Sequence, residues 1–263
     1  MIKLAVFDVD GTLVEEGNKG FSEKTLLMLN QLQKNGIKVA IASGRPPFFV
    51  KGSLNKEFTF DYYVCVNGAY VADKNFKEVN RSPLSLEDVE SLIKDFIKFD
   101  DAVMFQFDDA AYCYNGNKRI TSMVSHWIGR IDVLVDHRKD RNRHLKDLPL
   151  GVVCNIDPAH MDYYQTKYPH LAFDAFSEDH YDIHMDNYSK ADGVKIIADA
   201  QGIKMDEVIA FGDNYNDLQM LEAVGIGVAM GNALDEVKKV ADYVAKNVED
   251  DGTYYTCKHF ELI

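Results

Sequence analysis

The sequence predicts an α/β protein in which a parallel-sheet domain is interrupted by a smaller α+β domain. Three observations predict it. Roughly the first eighty residues alternate apolar strand and amphipathic helix. The same alternation returns from about residue 190 to the C-terminus, and the stretch between runs to a different rhythm. Strands separated by crossover helices belong to parallel sheets, whereas short strands beside one another with occasional helices read as α+β.

Residues 2–9 form a nearly continuous apolar run ending in Asp10-Gly11, as expected of a strand buried on both faces. Ser22 then opens an apolar-periodic stretch through Leu26, Leu29 and Leu32 that Gly36 closes, a helix with a serine cap and a glycine stop. Residues 37–42 and 62–66 are further strands, followed by Ser43-Gly44-Arg45 and by Asn67-Gly68, a hairpin signal. After the insert, residues 190–200 read as a helix stopped by Gly202, 208–212 as a strand and 218–223 as a helix. Residues 225–229 and 233–240 complete the pattern as strand and helix. Between them, Ser85 caps a helix through Phe99, strands fall at 103–107 and 111–114, and a helix lies near Trp127. A strand at 152–156, a helix after Pro158 and strands near Ala172 and Asp182 follow. The expected organisation is a core domain of residues 1–82 and 186–263 holding an α+β domain of residues 83–185.

Composition limits the function. With 263 residues, 46% of them hydrophobic, the chain can bury one large core or two smaller ones. No run of eighteen apolar residues is present, and the apolar N-terminus is too short for a signal peptide, so neither a membrane span nor a membrane partner is expected. Cys65, Cys113, Cys154 and Cys257 are scattered without a CxxC pair, which suits a reduced cytoplasm and suggests neither disulfides nor zinc. A formal net charge of −13 repels polyanions, so nucleic acid is not an expected partner. An anionic small substrate then requires a local positive centre, and a divalent metal with a well-placed lysine would supply it.

The polar motifs fall where a parallel sheet would gather them. Asp8-Val9-Asp10-Gly11-Thr12 follows the first strand, Ser43-Gly44-Arg45 the second, and Gly212-Asp213-Asn214-Tyr215-Asn216-Asp217 a late one, while Lys190 opens the helix after the insert. The carboxyl ends of parallel strands share one edge, where ligands bind. Asp8, Asp10, Asp213 and Asp217 would then approach one another, and each like-charged pair at about 4 Å costs roughly 4 kcal/mol at an effective dielectric near 20. Such a cluster stays ionised around a cation, and an oxygen-only donor set selects Mg²⁺. Lys190 suits a phosphate or a developing acyl phosphate, and Ser43 and Gly44 offer a hydroxyl and an unobstructed N–H to phosphate oxygens. Gly11 lets the chain turn sharply and present N–H groups. Singly these motifs are ordinary: Asp10-Gly11 is a common turn, and a lone lysine is usually solvated. The calcium-loop reading of Asp8-x-Asp10-Gly11 fails, because that loop puts glycine sixth and glutamate twelfth.

With these four segments, together with Ser189-Lys190, Asn67-Gly68-Ala69 and Asp251-Gly252, the chain resembles the haloacid dehalogenase superfamily, in particular its Cof-type, subclass IIB sugar-phosphatase branch. The resemblance spans essentially the whole chain, is strong in the core motifs and weak in the insert. It implies a Rossmann-like core with an inserted cap of the C2B type. It also implies an aspartyl-phosphate mechanism: Asp8 as nucleophile, Asp10 as general acid and base, and Lys190 neutralising charge. Mg²⁺ would be held by Asp8, Asp213 and the backbone carbonyl of Asp10, with Asp217 acting through water or orienting Lys190. Gly11, Ser43, Gly44, Lys190 and Asn216 would meet phosphate. Arg45 and Asn67, on the core rim, and His184, near the return from the insert, are candidates for the leaving group; a structural histidine is the competing reading of His184. The basic run Arg138-Lys139-Asp140-Arg141-Asn142-Arg143-His144 is a solvated loop or a lure for anions. Trp127 and the tyrosines are expected in cores rather than on sugars. The substrate implied is a small phosphorylated metabolite. Hydrolysis of small phosphate monoesters is the reading the Cof-type pattern fits best; phosphoryl transfer within a sugar, as in phosphomannomutases, shares the core motifs, whereas a non-catalytic phosphate- or metal-binding module need not keep nucleophile, acid, lysine and metal carboxylates together, as this sequence does.

Overall fold

The computed structural model describes residues 1–15, 20–52, 54–127 and 132–263; the side chain of Trp127, expected in a core, lies outside the described residues. The chain divides into two compact units, one of residues Met1–Arg45, Phe49–Asn80 and Tyr188–Ile263, the other of Pro46–Phe48 and Arg81–Asn187. Its strands are β1 (Leu4–Phe7), β2 (Lys38–Ala42), β3 (Tyr62–Cys65), β4 (Tyr70–Asp73) and β5 (Glu78–Arg81). There follow β6 (Ala102–Gln106), β7 (Ala111–Asn115), β8 (Leu134–Asp136), β9 (Gly151–Asn155), β10 (Leu171–Ala175) and β11 (His180–Met185). The chain ends with β12 (Val208–Gly212), β13 (Ile226–Ala229) and β14 (Tyr243–Val244).

In the first unit the strand order is β14-β13-β12-β1-β2-β3-β4-β5. Strands β14 through β3 run parallel, and β4 turns back antiparallel on β3. All four β1 residues are fully buried, and Phe7 stacks on Phe211 of β12 with ring centroids 4.7 Å apart. An apolar run without alternation therefore means what it should: a central strand covered on both faces. The helix Glu23–Lys34 starts as its sequence requires, the Ser22 side chain accepting from the Thr25 N–H. The helix Lys190–Gln201 opens on a reciprocal capping box between Ser189 and Asp192 and closes on left-handed Gly202. That cap fixes where Lys190 stands.

The second unit is a six-stranded sheet ordered β10-β11-β9-β6-β7-β8, antiparallel except between β7 and β8. Along β6 the side chains alternate: Val103 and Phe105 join one apolar cluster with Leu92, Phe96 and Tyr164, and Ala102 and Met104 join another with Ile120 and Val124. At β6 both faces of the sheet are thus dry, by the two-residue period of a strand. The basic run is largely solvated, as one of its two readings had it, with Arg138, Lys139, Arg141 and Asn142 exposed. Its last two residues begin the helical turn Arg143–Lys146, and three of its charges are paired: Arg138 with Asp136, Asp140 with Lys146 and Arg143 with Asp109. Arg143 also lies over the Phe107 ring at 4.2 Å. All four cysteines are free and buried, and no described helix is long and apolar enough to cross a membrane.

Candidate active site

Four of the first unit's loops leave the carboxyl ends of β1, β2, β3 and β12, and they carry Asp8, Ser43, Asn67 and Asp213. Parallel pairing puts these ends on one edge. Asp8 is buried there. Its N–H donates to the Phe211 carbonyl, and its Oδ1 accepts from Lys190 Nζ at 2.7 Å. The same ammonium donates to Asp217 Oδ1 at 2.6 Å. Asp217 Oδ2 in turn accepts from the backbone N–H groups of Asp213 and Asn214 at 2.8 and 3.0 Å, which ties the β12 loop to the lysine. Thr12 Oγ1 donates to Asp213 Oδ1 at 2.8 Å. One carboxylate oxygen from each of Asp8, Asp213 and Asp217 falls within 4.8 Å of the others.

The electrostatics show a deficit of positive charge. Burial lifts the Asp8 carboxyl well above the ordinary carboxylate range; Lys190 opposes this, while Asp217, Asp213 and Asp10 add to it. Burial, with Asp217 beside it, pushes Asp213 up to about 7, although the Thr12 hydrogen bond pulls the other way. For Lys190, burial disfavours the charge, yet Asp217 and Asp8 outweigh it and raise its pKa. One ammonium is not enough for this many buried carboxyls. A hard divalent cation at Asp8 and Asp213, with Asp217 behind them because both its oxygens are engaged, would supply the missing charge, and the donor set, all oxygen and no imidazole or thiolate, fits Mg²⁺.

The remaining expected residues divide. Gly11 has φ +76°, and a Cβ there would sit 2.4 Å from Asp213 Oδ2, so only glycine lets this turn approach the carboxylate. Its own N–H, expected to meet phosphate, instead donates to the Val14 carbonyl. Ser43 is buried, and its Oγ accepts from the Arg45 N–H at 3.2 Å; Gly44 lies half-buried between them. Arg45 grips both carboxylate oxygens of Asp10, at 2.7 and 2.5 Å, and its guanidinium lies 4.4 Å over the Phe49 ring. Asn67 is not on the rim: it is buried, and its Oδ1 accepts from Asn216 Nδ2 at 3.1 Å. His184 lies in the second unit on β11, with Nε2 against Asp174 and Nδ1 against the Met185 carbonyl, both at 2.9 Å. Both ring nitrogens are occupied within that sheet, which is the structural role rather than a leaving-group contact. Sequence reasoning passed over Asn232, which donates to the Gly11 carbonyl at 2.8 Å and accepts from the Val248 N–H. The available signal was Gly231-Asn232, just beyond β13 on the same sheet edge.

A sequence profile of the haloacid dehalogenase-like hydrolases matches residues 5–256. The chain belongs to the haloacid dehalogenase-like hydrolase family. Among members of that family, the Bacillus subtilis (strain 168) protein YkrA, whose name proposes a phosphatase, is 32% identical over 261 residues, covering 99% of this chain and 98% of its own. Phosphoglycolate phosphatase 1 of Saccharolobus solfataricus is 27% identical over 256 residues, covering 96% and 92%. The solved structure of the subclass IIB sugar phosphatase BT4131 superposes with a TM-score of 0.86 at 26% identity, covering 99% of this chain and all of that one. These likenesses agree with the Cof-type, subclass IIB resemblance of the sequence motifs.

Proposed function

We propose that this hydrolase is a Mg²⁺-dependent phosphatase that releases inorganic phosphate from small phosphate monoesters, sugar phosphates among them, through an aspartyl-phosphate on Asp8. The observation that carries the reading is the contact of Asp8 with Lys190 at 2.7 Å, beside the acids Asp213 and Asp217. Burial among acids disfavours the Asp8 carboxylate, and a lysine with a cation beside it would keep it ionised and able to serve as a nucleophile. Names of relatives support the substrate class, since BT4131 is a sugar phosphatase and the Saccharolobus protein acts on phosphoglycolate.

In this mechanism a carboxylate oxygen of Asp8 attacks phosphorus, and the bond from phosphorus to the leaving oxygen breaks. For this step Asp10 must be released from Arg45, which holds both its oxygens in the structure, and carry a proton, which it gives to that oxygen as the alcohol departs. Asp10 then takes a proton from water as the water oxygen attacks the same phosphorus, the bond to Asp8 breaks, and phosphate leaves with the Asp8 carboxylate restored. Lys190 stays charged throughout and neutralises the oxygens gathered at phosphorus. Ser43 and Asn216 hold the phosphoryl group in line. Bound Mg²⁺, held by Asp8, Asp213 and the Asp10 carbonyl with Asp217 behind, would supply further charge neutralisation at the phosphoryl oxygens. Residues 83–185 would act as a cap that closes on the leaving group and excludes water.

The test is phosphate release from a panel of phosphorylated sugars and short phosphorylated acids, with Mg²⁺ and with a chelator. Turnover with Mg²⁺, lost on chelation and absent from Asp8→Asn, is expected. Full activity of Asp8→Asn, or activity untouched by complete metal removal, would overturn the reading; isomerised sugar phosphate without free phosphate would make the enzyme a mutase.

A further inference from the structure

The turn after β3 has a backbone that ordinary residues avoid. Val66 and Asn67 both sit at positive φ, +49° and +50°, and Gly68 follows at +106°. A β-branched residue in this region is a genuine outlier. Such conformations persist where the surroundings dictate them, and they cluster at functional sites. Here the surroundings are three segments of the active site. The Asn67 N–H donates to the Ser43 carbonyl at 3.1 Å, and the Val66 N–H donates to the Arg45 carbonyl at 3.2 Å. Gly68 lies against the residue before Lys190, so closely that a Cβ on it would fall 2.1 Å from the Ser189 carbonyl oxygen. The Asn67 side chain, buried, receives the Asn216 amide at 3.1 Å. One three-residue turn thus touches the β2 loop, the start of the lysine helix and the β12 loop.

We propose that Asn67 is a positioning residue, which fixes the Asn216 amide so that its N–H, rather than its carbonyl oxygen, faces the transferring phosphoryl group. An asparagine amide has two N–H donors on one atom and an acceptor on the other, and rotation by half a turn exchanges them. With one N–H given to Asn67 Oδ1, the second N–H is left on the same nitrogen and the orientation is set. Without that acceptor the amide is free to turn its oxygen toward an anion, which repels it. The bent backbone serves the same end, because it carries the Asn67 amide inward while its N–H stays on Ser43. This inference rests on the phosphatase reading above, from which Asn216 takes its phosphate role.

The experiment is a double-mutant cycle in the full-length protein with Mg²⁺, using p-nitrophenyl phosphate as substrate and orthovanadate as inhibitor. Asn67→Gly removes the amide and keeps a residue at ease with positive φ. It is expected to lower kcat about tenfold and raise the vanadate inhibition constant by a like factor, with a smaller change in KM. In an Asn216→Ala background the same change is expected to cost less than about twofold, since the residue through which it acts is gone. Equal losses in both backgrounds, or no loss in the first, would overturn the proposal. Asn67→Asp, which tolerates the same backbone and keeps the acceptor oxygen, separates a folding defect from a positioning one. It should hold kcat within about threefold of the parent while KM rises from the added charge, and a kcat as low as that of the glycine variant counts against positioning. Asp8→Asn in parallel tells the two readings apart: if it is inactive and the cycle is additive, only the role of Asn67 fails.

Discussion

Lys190 Nζ and Asp217 Oδ1 lie 2.6 Å apart with side chains 1% and 0% exposed, the most deeply buried ion pair among the described residues of the first unit. Because Asp217 also holds the N–H groups of Asp213 and Asn214, this pair transmits the position of the β12 loop to the lysine beside Asp8. The charge on Lys190 is therefore part of the fold as well as of the chemistry.

Lys190→Met should expose that double role. It leaves Asp8 and Asp217 buried without a counter-charge, and breaking a buried pair costs about 3–5 kcal/mol. The melting temperature in chelator is expected to drop by roughly 10 °C, and Mg²⁺ should recover part of it by replacing the lost charge. Phosphate release should be lost with or without that recovery. A melting temperature equal to that of the parent would contradict the assigned burial energetics.

The pH dependence of stability should also depend on metal. Asp8 and Asp213 both have carboxyls raised in the folded protein, Asp213 to about 7, chiefly through burial. The folded state therefore binds more protons than the unfolded chain between the ordinary carboxylate range and pH 7. Stability from these groups is full below their unfolded pKa and is lost as pH rises through the folded value. In chelator the contribution of these two groups should make the melting temperature fall between about pH 4.5 and pH 7.5. Saturating Mg²⁺ should flatten or reverse the slope, since the cation binds the ionised forms. Matching slopes with and without Mg²⁺ would be evidence against metal on these carboxylates.

Gly11→Ala tests the approach of the first loop to Asp213. The added methyl would meet the Asp213 carboxylate at 2.4 Å and would sit at φ +76°. The backbone alone costs about 1–2 kcal/mol, and the carboxylate must move away. The Mg²⁺ concentration for half-maximal activity is expected to rise about tenfold or more, measured by titration of metal into chelator-treated enzyme. An unchanged titration would separate Asp213 from the metal.

Arg143→Lys probes the second unit, where one cation bonds Asp109 at 2.8 Å and lies 4.2 Å over Phe107. Lysine keeps the charge and loses the planar stack, so a loss of about 1 kcal/mol is expected in a urea midpoint. No change would place Arg143 with the surface ion pairs that contribute little.

Much of the core was legible because its signals are local. The strand β12 and the helix Leu218–Ala223 fall on the residues that their apolar runs indicate, and Ser22 and Ser85 cap the helices they were expected to cap. The two-residue β14 and the helical turn Arg143–Lys146 were not seen, since segments so short carry no period. The C-terminal helix Gly252–His259 was also missed.

By itself, the sequence determined the alternation of strands and helices and hence the sheet edge on which Asp8, Ser43, Lys190 and Asp213 meet. Pattern period and strand direction are enough for that. Only the tertiary structure decided which polar atoms are taken: the Gly11 N–H by Val14, the Asp10 carboxylate by Arg45, the Asn216 amide by Asn67, and both His184 nitrogens by their own sheet. Asn67 and Asn216 are 149 residues apart in the chain. Whether two such amides meet depends on ångström-scale packing of several loops, to which a periodic pattern of apolar residues is blind.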